Sequence, residues 1–547
     1  MMTWKPCSTM LILVMSITAG WSQDAAPGQD QPEDPEPTPV RWNSFTLRYT
    51  SIANSENSQV LRQYASPSRG FDLKHLRYTY PGTGGRFWGR LDMRGFPKND
   101  NVQTLQVIAG KANLKFSADD YGYFEPTPFR VDRRVERNIQ GSLSYAVNPN
   151  LGVWVAYRNR TKDRSYEPPR DNLSTITKTL AVGVEGNVLG GHAAVTYADS
   201  RFYDRNGVQP TSVQKRYDIS YGREFGPLSL EGVYSNTKIQ QRGFRDSNAK
   251  GWGLDADWYI GENTSLGLSM RRQDLSLPNT LNAYVRKRFI TGLNFDHRFG
   301  NGISLQAGFQ HKEAERLRSD QTFIDVPKWN TWNAKLSGKL GSSNLRWSLR
   351  GSWEHLNRAA TMVGEDPRAL YWDDRARLQA KLDYSNDRFA AYATYQYRFD
   401  QNSPRNVEVT TNYFTIGGSY TFNPTTSVWA EFANQSYRAS GVIDPEGYDL
   451  DWFFPSNTSY AFGIDHAFNP STSLSVALTH TVTNNDNPLG LRGGNVRNTE
   501  LTATLRRKIN ERNSLELVIA PWSYRDRLSD QMNSRPTMIG LNWTMKF

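Results

Sequence analysis

Ile539-Gly540-Leu541-Asn542-Trp543-Thr544-Met545-Lys546-Phe547 is the last stretch of the 547-residue chain, and it decides how the rest is read. Successive side chains of a strand point to opposite faces. Ile539, Leu541, Trp543, Met545 and Phe547 therefore share one face, and Gly540, Asn542, Thr544 and Lys546 share the other. One face is wholly apolar and ends on an aromatic ring; the other is small or polar. A helix would scatter the two sets around its circumference.

The same period of two runs upstream. Trp252, Leu254, Ala256, Trp258 and Ile260 alternate with Gly253, Asp255, Asp257 and Tyr259. Ile303, Leu305, Ala307 and Phe309 alternate with Ser304, Gln306, Gly308 and Gln310, and Leu345, Trp347, Leu349 and Trp353 with Arg346, Ser348, Arg350 and Glu354. Residues with turn chemistry separate pairs of such segments: Asn148-Pro149, Gly226-Pro227, Gly261-Glu262-Asn263, Asn301-Gly302, Gly341-Ser342, Asn386-Asp387, Asn423-Pro424, Asn469-Pro470 and Asn510-Glu511. Longer polar stretches, read as loops, lie between successive hairpins at Arg160 to Asn172, Lys312 to Lys328, Asn357 to Trp372 and Ala439 to Ser456.

Short turns at one end and long loops at the other are the asymmetry of an up-and-down transmembrane β-barrel of the bacterial outer membrane, with the short side and both termini periplasmic. From Asn138 onward the pattern gives ten hairpins and a final strand. Before it, strands are expected near Trp42 to Thr50, Phe71 to Tyr80 and Arg86 to Arg94, and two short ones within Val102 to Asp119. The expected fold is all-β: a closed antiparallel ring of about 26 strands, within roughly 22 to 28. Trp252, Leu254, Trp258, Leu305, Phe309, Leu345, Trp347 and Leu349 are expected to face lipid.

Composition agrees. Mean hydropathy is polar at -0.66, yet aromatics make up 12% of the chain. A barrel reconciles the two, since each strand shows lipid only every second side chain and aromatics gather at the interfaces. Beyond the N-terminus there is no run of the roughly eighteen apolar residues a membrane helix needs.

Lys5 and the apolar Met10 to Ala19 read as an export signal over residues 1–22. Residues 23–40 read as a disordered lead-in, proline-rich and acidic with no Lys or Arg, and residues 41–547 as the barrel. The one cysteine, Cys7, falls inside the signal, so the mature chain is expected to carry no disulfide, thiolate metal site or covalent haem. A net charge of +11 raises the question of nucleic acid, but the cations are spread along the chain and form no basic stripe, so nucleic acid is not an expected partner. His75, His192, His297, His311, His355, His466 and His480 are scattered singly, with no nucleophile elbow or HExxH beside them, so no enzyme and no catalytic, cofactor or metal residue is expected.

A ring of about 26 strands, spaced about 4.8 Å apart and tilted about 40°, has a backbone radius of about 26 Å. Side chains cannot fill such a lumen, and the lead-in is too short to make a plug, which disfavours a plug-bearing receptor. The inner wall is expected to be basic. Lys335 and Lys339 with Asn333 and Ser337, Arg346 and Arg350, Arg375, Arg377 and Lys381 with Gln379 and Asp383, and Arg398 with Tyr392, Thr394 and Gln396 are the inward positions. A polar guest suits that wall; so does a large general or anion-preferring diffusion porin.

The closing stretch with its terminal Phe547 resembles the signal read by the bacterial barrel-assembly machinery. The layout as a whole, with the N-terminal segments GFDLKHLRYTY, GRFWGRLDMRG and YGYFEPTPFR, resembles the MtrB/PioB type of decahaem-associated outer-membrane protein, although the CxxC some members carry near the mature N-terminus is absent. The resemblance implies a barrel that holds a periplasmic multihaem cytochrome in its lumen for extracellular electron transfer. An extracellular cytochrome would be a further partner, and lipid and lipopolysaccharide would surround the wall. Haem would belong to the partner and not to this chain.

Overall fold

In the computed structural model the described residues are 43–53, 70–80, 87–96, 101–127, 130–167, 173–207, 209–243, 246–276, 284–300, 302–317, 323–341, 344–359, 372–403, 406–440, 456–484, 496–527 and 533–547. They form a single 26-stranded antiparallel sheet that closes on itself. The expected signal and lead-in, and the two stretches 360–371 and 441–455 read as loops, lie outside the described residues.

Each strand pairs with its neighbours in sequence, and the ring is completed by β1 (Ser44–Ala53) against β26 (Thr537–Lys546), from Ser44 opposite Lys546 to Ala53 opposite Thr537. That places Asn43 and Phe547, the first and last described residues, at the rim of the short turns. The hairpins form where alternating segments meet turn residues. Asn148, Asn386, Asn423, Asn469 and Asn510 each accept a hydrogen bond at Oδ1 from the backbone N–H two residues on, at 2.8–2.9 Å, which reverses the strand without a longer loop.

Two stretches read as loops are mostly strand. β6 (Arg130–Asn148) and β7 (Leu151–Glu167) carry the ladder through Arg160 to Glu167, and β15 (Ser304–Leu317) and β16 (Phe323–Lys339) carry it through Lys312 to Leu317 and Phe323 to Lys328. The physical reason is that a ladder is held by backbone bonds and cross-strand pairs, not by apolar contrast. Arg160 and Lys162 both meet Glu136, Ser174 donates to Asp163 at 2.6 Å, and Lys328 Nζ lies 3.3 Å from Glu313.

The wall has no central core, so packing is lateral. On β8 (Leu173–Val188), Gly183 sits opposite Trp154, and a Cβ there would fall 2.4 Å from the indole. The ring thus lies flat over the glycine backbone and is itself 8% exposed. On β19 (Phe389–Asn402), Tyr392 crosses Gly417 in the same way and donates to Glu431, two strands away.

Candidate functional site

The register assigns faces without ambiguity, because residues directly opposite in a ladder share a side. β17 (Leu345–Ala359) and β18 (Asp374–Ser385) lie between β16 and β19. Across these four strands the rows read Lys339, Arg346, Asp383, Tyr392; then Ser337, Ser348, Lys381, Thr394; then Lys335, Arg350, Gln379, Gln396; then Asn333, Ser352, Arg377, Arg398; then Thr331, Glu354, Arg375, Asp400. All eight cations expected on the inner wall are therefore brought to one face of four adjacent strands.

Three carboxylates accompany them. Lys381 Nζ is 2.9 Å from Asp383, Arg375 Nε donates to Asp400 at 3.0 Å and its Nη1 lies 3.6 Å from Glu354, and Arg398 also binds Asp400. Lys335, Lys339, Arg346, Arg350 and Arg377 have no carboxylate partner among the described residues. Lys339 opposite Arg346, Lys335 opposite Arg350 and Arg377 opposite Arg398 are direct like-charge pairs, an arrangement that destabilises a sheet.

Further round the same face the sign reverses. β10 (Ser212–Phe225), β11 (Leu228–Gln241), β12 (Ser247–Ile260) and β13 (Thr264–Ser276) place Gly222, Glu231, Asp255 and Ser269 in one row and Glu224, Ser229, Asp257 and Gly267 in the next. Of the four carboxylates only Asp255 has a cation among the described residues, Arg271. Continuity of the face is shown by one unbroken row: Glu224, Ser229, Asp257, Gly267, Asn294, Gly308, Asn333, Ser352, Arg377, Arg398.

The opposite face is apolar along a matching row: Trp258, Leu266, Phe295, Ala307, Ala334, Gly351, Leu378. Trp252 and Leu254 share it on β12, where Leu254 faces Met270. Leu305 and Leu349 flank Leu336, and Phe309 touches Trp332 with ring centroids 4.3 Å apart. Leu345 and Trp347 lie opposite Tyr384 and Leu382.

At the closure, Leu541 and Trp543 are 47% and 36% exposed while Asn542 between them is 3% exposed, so the apolar face is the open one and the polar face the crowded one. Ile539, Leu541, Trp543 and Met545 stand opposite Ser51, Tyr49, Leu47 and Phe45 of β1. The Phe547 N–H donates to the Asn43 carbonyl at 2.8 Å, and its ring lies 6.3 Å from those of Phe45 and Tyr78.

Sequence reading missed the polar clusters beside the closure. Asp92 on β3 (Phe87–Phe96) is ringed by Arg94 at 3.1 Å, by His75 and Arg77 each at 3.4 Å, and by Arg90 at 3.6 Å. Glu516 on β25 (Asn513–Asp526) accepts from Arg506 and Asn542, each at 2.6 Å, and from Lys74 at 3.2 Å. Lys74 reaches it from β2 (Gly70–Tyr80) because a bulge opposite Thr46 and Leu47 inserts it as the extra residue.

The histidines make cross-strand bonds: His297 with Thr264, His311 with Asn330, His355 with Asp374, His466 with Thr426 and His480 with Thr499, all at 2.7–2.9 Å. Among the described residues no three His, Cys, Asp or Glu side chains gather as a metal would require.

No protein-family model and no curated protein matches the chain in sequence. Among solved structures, the copper transporter OprC aligns with 93% of this chain and 80% of its own, at a TM-score of 0.51 and 10% identity. The siderophore receptor PirA from Acinetobacter baumannii aligns with 92% of this chain and 80% of its own, with TM-score 0.48 and 10% identity. For the FrpB iron transporter from Neisseria meningitidis the shares are 92% and 82%, again with TM-score 0.48 and 10% identity. At such identities the likeness is one of fold: this chain is a large closed antiparallel β-barrel, similar in its strand framework to that of OprC.

Proposed function

We propose that this barrel lies in the bacterial outer membrane with its apolar face against lipid and its polar face around a lumen, short turns and chain ends periplasmic. Within that lumen it sheathes a multihaem c-type cytochrome and so forms a conduit for extracellular electron transfer. The observation that carries this reading is the closed ring of 26 strands. A ring of that size has a radius of about 26 Å, wider than its inward side chains can fill.

A polar protein cannot cross hydrocarbon unshielded. The barrel would supply lipid-facing apolar side chains outside and hydrogen-bonding groups inside, and would keep the haem chain in place between periplasmic donor and external acceptor. Haem would sit in the partner alone, and the barrel would be a scaffold, not an enzyme. Co-purification from native membranes followed by a haem stain tests this; a barrel that brings no haem protein overturns it.

The five unneutralised cations favour a second reading, an anion-preferring diffusion porin. Large single-channel conductance of the protein in its native state would select it. The assignment of faces has its own test, since the lone cysteine is Cys7 in the expected signal. Gln306→Cys is expected to react with a water-borne maleimide in intact vesicles and Leu305→Cys to react only with a lipid-soluble one; equal labelling of both breaks the assignment.

A further inference from the structure

The polar face is divided by charge: Glu224, Glu231, Asp255 and Asp257 mark one sector, and the eight cations of β16–β19 mark another on the same face. Both sectors are locally unfavourable as built. Like charges stand directly opposite in Lys339–Arg346, Lys335–Arg350 and Arg377–Arg398, and also in Glu231–Asp255. Elsewhere on this face cations and carboxylates meet within one or two residues, as Arg48 with Asp72 and Arg216 with Asp218 do. Like charges also face each other elsewhere, as Arg134 and Arg164 do, but the two sectors gather several charges of one sign on neighbouring strands.

We propose that the basic sector of β16–β19 is the docking surface for an acidic face of the polypeptide inside the lumen, and that the carboxylates of β10–β12 receive a basic face of the same guest. This rests on the sheath reading above. The extent of the patch selects a polypeptide over a small ion. From the row of Lys339 and Arg346 to that of Arg377 and Arg398 the cations climb three steps of two residues each, a rise of about 20 Å. A phosphate-sized anion would bridge a single step. Two sectors of opposite sign at different places round the ring also do what one cannot: they fix the guest's rotation about the barrel axis, because turning it would bring like charges together.

The test is a combined variant, Lys335→Glu, Lys339→Glu, Arg346→Glu, Arg350→Glu and Arg377→Glu, with the five corresponding Gln substitutions as a milder companion. The full-length chain is expressed in its native host and purified in mild detergent, and the retained partner is read by haem stain and by protein stoichiometry. Heat-modifiable gel mobility reports whether each barrel has closed. The wild type is expected to retain its partner less well as salt rises above about 0.15 M. The Glu variant is expected to retain about tenfold less, and the Gln variant an intermediate amount. A closed Glu variant that keeps its partner as the wild type does, at every salt concentration, overturns the docking proposal alone. If the Glu variant does not close, the Gln variant decides, and unchanged retention there overturns it equally. A wild-type barrel that retains nothing overturns the sheath reading and this proposal with it, whereas a retained guest without haem removes the cytochrome and leaves the docking surface standing.

Discussion

The strands beside the closure and those that follow them differ in length by almost a factor of two. β1 and β26 have 10 residues each, while β6 and β7 have 19 and 17. Their apolar faces do not differ to that extent. On β1 the open face runs Phe45, Leu47, Tyr49 and stops at Ser51; on β7 it runs Leu151, Val153, Val155, Tyr157 and stops at Asn159, after which Thr161, Asp163 and Ser165 continue the ladder. An apolar belt of similar height, three residues on β1 and four on β7, across strands of unequal length is what a hydrocarbon slab would impose, and the surplus residues of the long strands would be a polar rim beyond it.

That comparison can be broken at graded cost. The largest effect is expected at the closure: Leu541→Arg together with Trp543→Arg puts two cations in the belt on the strand that seals the ring, about 2–4 kcal/mol each, and folded barrel should disappear from heat-modifiability gels of the membrane fraction. A single Val182→Arg in the belt of β8 is expected to cost about 2–4 kcal/mol by denaturant titration in lipid, whereas Thr161→Arg in the rim of β7 should cost about 0–1 kcal/mol. Equal costs would show that the belt ends elsewhere. Between these falls Gly183→Val, which leaves both faces their polarity but drives a side chain into Trp154, at about 1–3 kcal/mol in the same titration.

How far the sequence discloses this molecule follows from the range of each interaction. The alternation from Ile539 to Phe547 and the Asx turns at Asn148, Asn386, Asn423, Asn469 and Asn510 are local, so strand number and face membership could be read directly, and the 26 strands counted from pattern match those of the sheet. The rim of β7 was hidden because Asn159, Thr161 and Asp163 offer no hydrophobic contrast once the belt has ended. The like-charge pairs were hidden for another reason: that Lys335 stands opposite Arg350 depends on where the intervening turn sets the register. The basic side chains gathered about Asp92 needed the register of β2 against β3, and the reach of Lys74 to Glu516 needed still more, a bulge and a completed circle.

The closing ladder also bears on how such a wall can be built. Every other strand pair joins neighbours in the chain, so hairpins can be added one at a time with short loops to close. Only the last seam joins distant residues, with Thr46 meeting Thr544 across 498 positions. Until it zips, the growing sheet has two raw edges, each able to recruit a foreign strand, and every one of the intermediate shapes is sticky in the same way. A helper that shields both margins until β26 arrives, then lets them meet, would convert a risk spread over the whole of assembly into one final, ten-residue snap.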